Sequence, residues 1–395
     1  MFVYADNAAT EKMRETALKT YEKTAREWYA NPSSLHSAGQ RTNECLQECR
    51  RQIAGVLGCD AKEIYFTSGG TEADNQAIYS AAQAGKRAGK KKILATAIEH
   101  HAVLHPLKKL EKEGFVIELL PVGKDGILSI ETFKNALTPD TCLACVMFAN
   151  NEIGTIQPVA EAGAVCKERG VLFLCDAVQA VGHVPVNVDE IHADYLTLSA
   201  HKFGGPKGVG ALFVRTGAPL YPVLEGGAQE RNKRAGTEDL PAIAAMAAAL
   251  VQAEETMRAA GEKTARLRDY VIAGLRNIEH GALNGDEKKR LAGNVSFCFE
   301  GVEGETLLLL LDDMGVCASS GSACTSGSLD PSHVLLAIGR PHQVAHGSLR
   351  LTLNEDNSEE EAEYLVAAVT QAVNKTRAMS CLWRDLKEGR KSFIL

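Results

Sequence analysis

The sequence predicts an α/β protein built on a mostly parallel sheet with helices on both faces, followed by a smaller α+β unit. Short apolar runs alternate with helical stretches between residues 63 and 214, the βαβα rhythm of such a sheet. Several of these runs end in polar, charged or glycine-rich clusters, as strands do where they open onto a ligand crevice. At 395 residues the chain is also too long for one ordinary hydrophobic core, so two domains are expected.

Taken in order, a short strand leads into the polar turn Asp6-Asn7-Ala8-Ala9-Thr10 and then a helix over 14–27. Asn31-Pro32-Ser33-Ser34 breaks that helix and caps the next, over 35–57. Residues 63–67 form a strand, followed by Ser68-Gly69-Gly70-Thr71 and a helix to about residue 85. A glycine turn between strand and helix makes an anion site, because free N–H groups and the helix dipole point at one place. Strand 92–96 ends near Glu99-His100-His101, and strand 116–120 follows after a helix. Strand 143–148 leads to Asn150-Asn151-Glu152-Ile153-Gly154, and a helix to about residue 169 reaches the run Val171-Leu172-Phe173-Leu174-Cys175, which ends in Asp176. Residues 194–199 alternate polar and apolar with period two and run into Ala200-His201-Lys202 before glycines and Pro206 break the pattern. A strand at 209–214 returns. The polar loop 226–237 carries Arg231, Lys233 and Arg234; it is either a solvated loop or one that reaches a neighbouring subunit's phosphate. A helical stretch over 240–276 carries the domain boundary, and 294–299, 306–313, 347–353 and 358–377 mix strands and helices in the smaller unit. There is no internal repeat and no low-complexity segment.

Composition narrows the class of function. Hydrophobic residues at 45% and charged residues at 24% describe an ordinary soluble globular protein, and a net charge of −7 gives no support for a nucleic-acid surface. The longest apolar stretch, 242–251, is too short to span a bilayer, and the N-terminus has no targeting pattern, so a cytoplasmic location is expected. The 11 cysteines are an odd count, and several, such as Cys145, Cys175 and Cys298, sit in apolar runs. Buried thiols in a reduced compartment explain them better than disulfides. Cys142 and Cys145 form one CxxC with no second pair at zinc-ligand spacing, so no metal site is expected.

Two reactive stretches stand out. Lys202 and Asp176 end strands that lie close in sequence, so the fold delivers an amine and a carboxylate to one edge of the sheet. A structural ion pair is one reading. A pyridoxal phosphate site is the sharper one, with Lys202 as Schiff-base former and Asp176 keeping the pyridine nitrogen charged. Cys324 lies in Ala318-Ser319-Ser320-Gly321-Ser322-Ala323-Cys324-Thr325-Ser326-Gly327-Ser328, with no hydrophobic neighbours to bury the thiol. It is an incidental cysteine in a linker or a nucleophile on a loose arm. Downstream, Arg350 in a strand-like segment either clamps a substrate carboxylate or decorates an edge strand.

Together, Tyr4 to Thr10, Thr67-Ser68-Gly69-Gly70-Thr71-Glu72, Glu99-His100, Asn150 to Gly154, Asp176-Ala177-Val178-Gln179, Ser199-Ala200-His201-Lys202, Arg234-Ala235-Gly236-Thr237 and Ser319 to Cys324 stand in the order found in cysteine desulfurases of the NifS/IscS type. The chain thus resembles that group of the class-V aminotransferase family over nearly its whole length. The resemblance implies an aspartate-aminotransferase-like (fold type I) large domain over 13–257 with a mostly parallel seven-stranded sheet. It also implies a small domain of 1–12 and 258–395 carrying the cysteine loop. By the same resemblance Lys202 binds pyridoxal 5′-phosphate and moves the Cα proton, Asp176 pairs with the pyridine nitrogen, Gln179 with the phenolic oxygen, and His100 stacks on the ring and assists proton transfer. Gly70, Thr71, Ser199 and His201 hold the phosphate, joined by Thr237 of the other subunit of a homodimer. Asn151 and Arg350 bind the carboxylate of L-cysteine, and Cys324 takes the sulfur as a persulfide for an acceptor such as an iron–sulfur scaffold. The stretch after Cys324, 325–331, resembles the longer-loop members that serve such scaffolds. Gly70 departs from the family, where alanine is common, a change expected not to matter to a backbone phosphate contact.

A selenocysteine lyase or an aminotransferase would share this cofactor site, although an ordinary aminotransferase has no use for Cys324. A cofactor-binding regulator without catalysis would be expected to lack Lys202 or Cys324, and both are present. The sequence leaves open whether the sulfur goes to iron–sulfur assembly, tRNA thiolation or another carrier.

Overall fold

The computed structural model describes residues 1–320 and 331–395. Cys324 therefore lies outside the described residues.

The central sheet has seven strands, in the order Ile64–Thr67, Gly210–Val214, Tyr195–Ser199, Leu172–Asp176, Thr141–Cys145, Lys92–Thr96 and Val116–Leu120. All pairings are parallel except the two made by Gly210–Val214. That strand follows Tyr195–Ser199 after only a short connection, with no room for the crossover a parallel neighbour requires, so it returns antiparallel. The fifth strand in this order ends at Cys145 rather than Phe148. The amides of Val146 and Phe148 still donate to Leu174 O at 3.1 Å and Asp176 O at 2.8 Å, so the chain follows the neighbouring strand to Phe148 before it turns. Tyr195–Ser199 is buried at every position, so its polar–apolar alternation does not mark a solvated face. Thr197 is polar because it serves a buried partner, described below.

The helices Ser37–Leu57, Gly70–Arg87, His101–Lys112 and Val159–Arg169 cover the sheet. The helix Leu240–Leu275 is 36 residues long and joins two hydrophobic clusters. Its first turns, Leu240 to Ala253, pack into the core beneath the central sheet, with Phe173, Leu196 and Phe213. Its last turns, Leu267 to Leu275, pack with Val295, Phe297, Leu349 and Leu365. The second cluster lies under an antiparallel sheet of Ser348–Thr352, Asn294–Phe299 and Gly281–Leu283, with the helices Gly304–Asp313 and Glu359–Met379 against it. The N-terminal strand Val3–Tyr4 pairs with Val316–Cys317 in this second region. From there Asp6 to Thr10 crosses back to the edge of the central sheet. The ten described cysteines are all free thiols, and among the described residues no cluster of His, Cys, Asp and Glu is placed to hold a metal.

Candidate active site

The parallel strands ending at Thr67, Thr96, Cys145, Asp176 and Ser199 open onto one cavity of about 350 Å³. Its lining includes Gly70, Thr71, His100, Asn151, Asp176, Gln179, Ser199, His201, Lys202 and Arg350, so ten of the sequence candidates meet in one place. A second cavity of about 430 Å³ is lined by Ser68, Gly69, Gly70, Thr71, Ser199 and His201 as well.

At this end, Gly69 has φ 149° and ψ −179°, a conformation essentially confined to glycine, and it delivers the chain into the helix Gly70–Arg87. No side chain among the described residues caps that helix, so its first amides face the cavities unpaired by a cap, as an anion requires. Glu72 accepts the Ser68 amide at 2.8 Å and so fixes the turn. Gly70 is less neutral than the sequence suggested. A Cβ there would lie 2.6 Å from Val178 Cγ2, so the space of a common alanine has been given to a valine.

At the other end, Lys202 Nζ donates to the carbonyls of Ala8 at 2.6 Å and Ala9 at 2.9 Å, while Gln179 Nε2 donates to Ala8 O at 3.0 Å. The turn Asp6 to Thr10 thus lies directly on the lysine. Asp176 Oδ1 accepts the Val178 amide at 2.9 Å. Burial raises the Asp176 carboxyl above its ordinary range, and the Val178 amide, the Lys202 ammonium and the Thr197 hydroxyl pull it back.

His100 is the N-cap of the helix His101–Lys112, its Nδ1 accepting the Ala102 amide at 3.1 Å. That bond places the ring proton on Nε2. Burial first, then the Lys202 charge, push the imidazole down to about 4, so it is neutral near pH 7. His201 is lowered to about 4 as well, by burial and then Lys202, and its Nδ1 lies 3.2 Å from Thr10 Oγ1.

Arg350 is 4% exposed, which rules out a surface arginine on an edge strand. Its guanidinium is engaged by Asp6 at 2.8 Å and by the carbonyl of Asn151 at 3.2 Å, while Nε has no hydrogen-bond partner among the described residues. Asp6 was not among the sequence candidates, because nothing local signals a pairing 344 positions away. Ser319 donates to the other oxygen of Asp6 at 2.9 Å, and Ser332 donates to Glu152. The residues flanking 321–330 are therefore fastened beside the cavity. Thr237 is exposed and absent from both cavity linings of its own chain. Buried acids were also missed: Asp74, Glu99 and Glu152, of which Glu99 is raised to about 8 and Glu152 to about 7 by burial.

A lysine and a carboxylate at neighbouring strand ends, with an uncapped helix N-terminus beyond, are the parts of a pyridoxal phosphate site, and the residues present fit that group. Residues 3–365 match the aminotransferase class-V family, and the chain belongs to it. The enzymes of this family relevant here depend on pyridoxal phosphate. The chain is 47% identical to the cysteine desulfurase IscS of Clostridium botulinum (strain Kyoto / Type A2), covering 98% of each chain. It is 47% identical to the cysteine desulfurase IscS of Methanosarcina thermophila, over 96% of this chain and 94% of that one. Among solved structures, a NifS-like protein at 35% identity superposes with a TM-score of 0.89 over 95% of this chain and 100% of the other.

Proposed function

We propose that the chain is a cysteine desulfurase: it removes sulfur from L-cysteine, releases L-alanine and holds the sulfur as a persulfide on Cys324. The observation that carries this reading is the meeting of Lys202, Asp176, His100 and the uncapped Gly70 helix around one cavity, in a chain whose relatives of near-equal length are named cysteine desulfurases.

When bound, pyridoxal phosphate supplies an electron sink that acidifies the substrate Cα–H. Lys202 is the residue that holds the cofactor covalently and then moves the Cα proton. Asp176 would keep the pyridine nitrogen protonated, and Gln179 would hold the phenolic oxygen. Neutral His100, with its proton on Nε2 and its Nδ1 occupied by the Ala102 amide, would pack against the cofactor ring and donate from Nε2 to the reacting atoms. Gly70, Thr71, Ser199 and His201 hold the phosphate. Asn151 and Arg350 receive the substrate carboxylate, which competes with Asp6 for the guanidinium. Cys324 thiolate attacks the substrate sulfur: an S–S bond forms, the C–S bond breaks, and the electron pair left on carbon takes a proton to give alanine.

We divide the chain at residue 257 in the long helix, with 1–12 joining the C-terminal part. The strand Val3–Tyr4 and the split of the helix between two clusters support this. A homodimer, in which Thr237 reaches the partner's phosphate, and a cytoplasmic location belong to the same reading. Among the described residues no helix is long and apolar enough to cross a membrane. The sulfur acceptor is a protein partner of the kind that builds iron–sulfur clusters.

The test is incubation with L-cysteine followed by peptide mass spectrometry. The extra sulfur is expected on the Cys324 peptide, and Cys324→Ser should bind cofactor and cysteine yet release almost no alanine. A persulfide on Cys317 would move the nucleophile there, and a wild-type rate in Cys324→Ser would favour a lyase that expels the chalcogen without a cysteine nucleophile.

A further inference from the structure

Asp74 lies in the helix Gly70–Arg87 and is 1% exposed, yet it borders the same cavity as Asp176 and Lys202. Its Oδ1 accepts the Thr197 hydroxyl at 2.8 Å. Its Oδ2, fully buried, has no hydrogen-bond partner among the described residues. Thr197 stands opposite Asp176 in the sheet register, and its hydroxyl also bears on the Asp176 carboxyl. A hydroxyl has one hydrogen to give, so the two acids draw on a single donor.

The charges around this point do not balance if every acid is ionised. Asp74, Asp176 and Glu99 are all buried, and of the three it is Asp176 on which the Lys202 ammonium bears. Glu99 accepts from the Thr96 hydroxyl at 2.6 Å and the Met147 amide at 2.9 Å, while its Oε2 has no hydrogen-bond partner among the described residues. His100 is neutral, and burial keeps the thiols of Cys145 and Cys175 neutral. Like carboxylates brought together out of water share protons instead of all ionising. Asp176 has the Val178 amide and the Lys202 ammonium in its favour, and Asp74 has neither.

We infer that Asp74 is a positioning residue for Asp176: a neutral acid whose own proton spans the 2.8 Å contact to Thr197 Oγ1 and frees the hydroxyl hydrogen for Asp176, so that the pair carries one negative charge and that charge rests on Asp176. This rests on the reading of Asp176 as the partner of the pyridine nitrogen. The arrangement leaves the cofactor a carboxylate at a fixed place without a second anion beside it.

Two measurements test the inference. Infrared spectra of the apoenzyme and holoenzyme at pH 7 should contain the carbonyl band of a buried neutral carboxylic acid, and Asp74→Asn should remove one component of it; an unchanged band overturns the inference. Thr197→Val should weaken pyridoxal phosphate affinity about tenfold, more at pH 6 than at pH 8, because Asp176 loses a donor and is protonated more easily, whereas Thr197→Ser restores it. Equal affinity of Thr197→Val and wild type at both pH values overturns it too. Asp176→Asn separates the two levels. If it binds the cofactor as tightly as wild type, the site reading fails; if it binds weakly while the Thr197 and Asp74 variants behave as wild type, this inference alone fails.

Discussion

His100 carries two duties that a substitution can separate. Its Nδ1 caps the helix His101–Lys112, and its Nε2–H faces the cavity. Asparagine is at least as good a cap, so His100→Asn should lower the melting free energy by less than about 1 kcal/mol. The same variant lacks the imidazole and should lose about 10²–10⁴-fold in kcat. Steady-state kinetics beside a thermal melt checks both, and an active, well-folded His100→Asn would remove the residue from the chemistry. Lys202 is tested covalently. Borohydride reduction of the holoenzyme should abolish its visible absorption and fix the cofactor to the Lys202 peptide, and label on Lys207 would move the site.

At the scale of the elements, the glycine turn and the strand Leu172–Asp176 meet at Gly70 and Val178. A Cβ on Gly70 would lie 2.6 Å from Val178 Cγ2, well inside contact distance. Gly70→Ala should therefore cost about 1–3 kcal/mol, the range for overpacking, and weaken cofactor binding by tilting the turn. Gly70→Ala combined with Val178→Ala should recover most of both losses. Equal damage in the single and double variants would show that the two residues do not share this space. The strands that place this turn were legible because each is a short apolar run ended by a polar cluster, and Lys202, Asp176 and His100 follow such ends. The Asp6–Arg350 pair and the Lys202 contact with Ala8 were not, since they join segments about two hundred or more positions apart. Asp74 was hidden for another reason: an acid within a helix reads as solvated until its face is known to be buried.

The loop before Thr237 shows how an element is held in an unfavourable shape. Glu230, Arg231 and Asn232 have φ of 46°, 58° and 61°, a left-handed run that costs roughly 1–2 kcal/mol per residue. Glu230 anchors it, its carboxylate accepting from Arg50 at 2.6 and 2.8 Å and from the Phe66 amide at 2.9 Å, with both side chains buried. Removing one partner leaves a buried charge alone, so Glu230→Ala should destabilise by about 3–5 kcal/mol in denaturant unfolding. Asn232→Gly, which relieves one strained position, should be neutral or stabilising. A Glu230→Ala loss below 1 kcal/mol would mean that the anchor does not hold the loop.

The whole molecule explains why such an anchor is worth its cost. The loop is tied to the phosphate turn of its own chain twice: through Glu230 and Phe66, on the strand leading to Gly69, and through Arg234, whose guanidinium bonds Glu72 at 2.8 Å while Glu72 holds the Ser68 amide. Yet Thr237, at its end, is exposed and lines neither cavity. On the proposed dimer, a loop so firmly held and so placed would serve a neighbour. In a two-fold dimer each site would then need Lys202 from one subunit and Thr237 from the other. Lys202→Ala and Thr237→Asp, the latter setting a carboxylate against the phosphate, should each be nearly inactive as homodimers. Unfolding and refolding them together at equal concentration should form heterodimers in about half of the molecules, each with one intact site and one doubly broken site. Activity should then return to roughly a quarter of wild type. No recovery in a mixture shown by mass spectrometry to contain heterodimers would mean that Thr237 acts within its own chain, and a stable, fully active monomer in sedimentation would refute the shared site altogether.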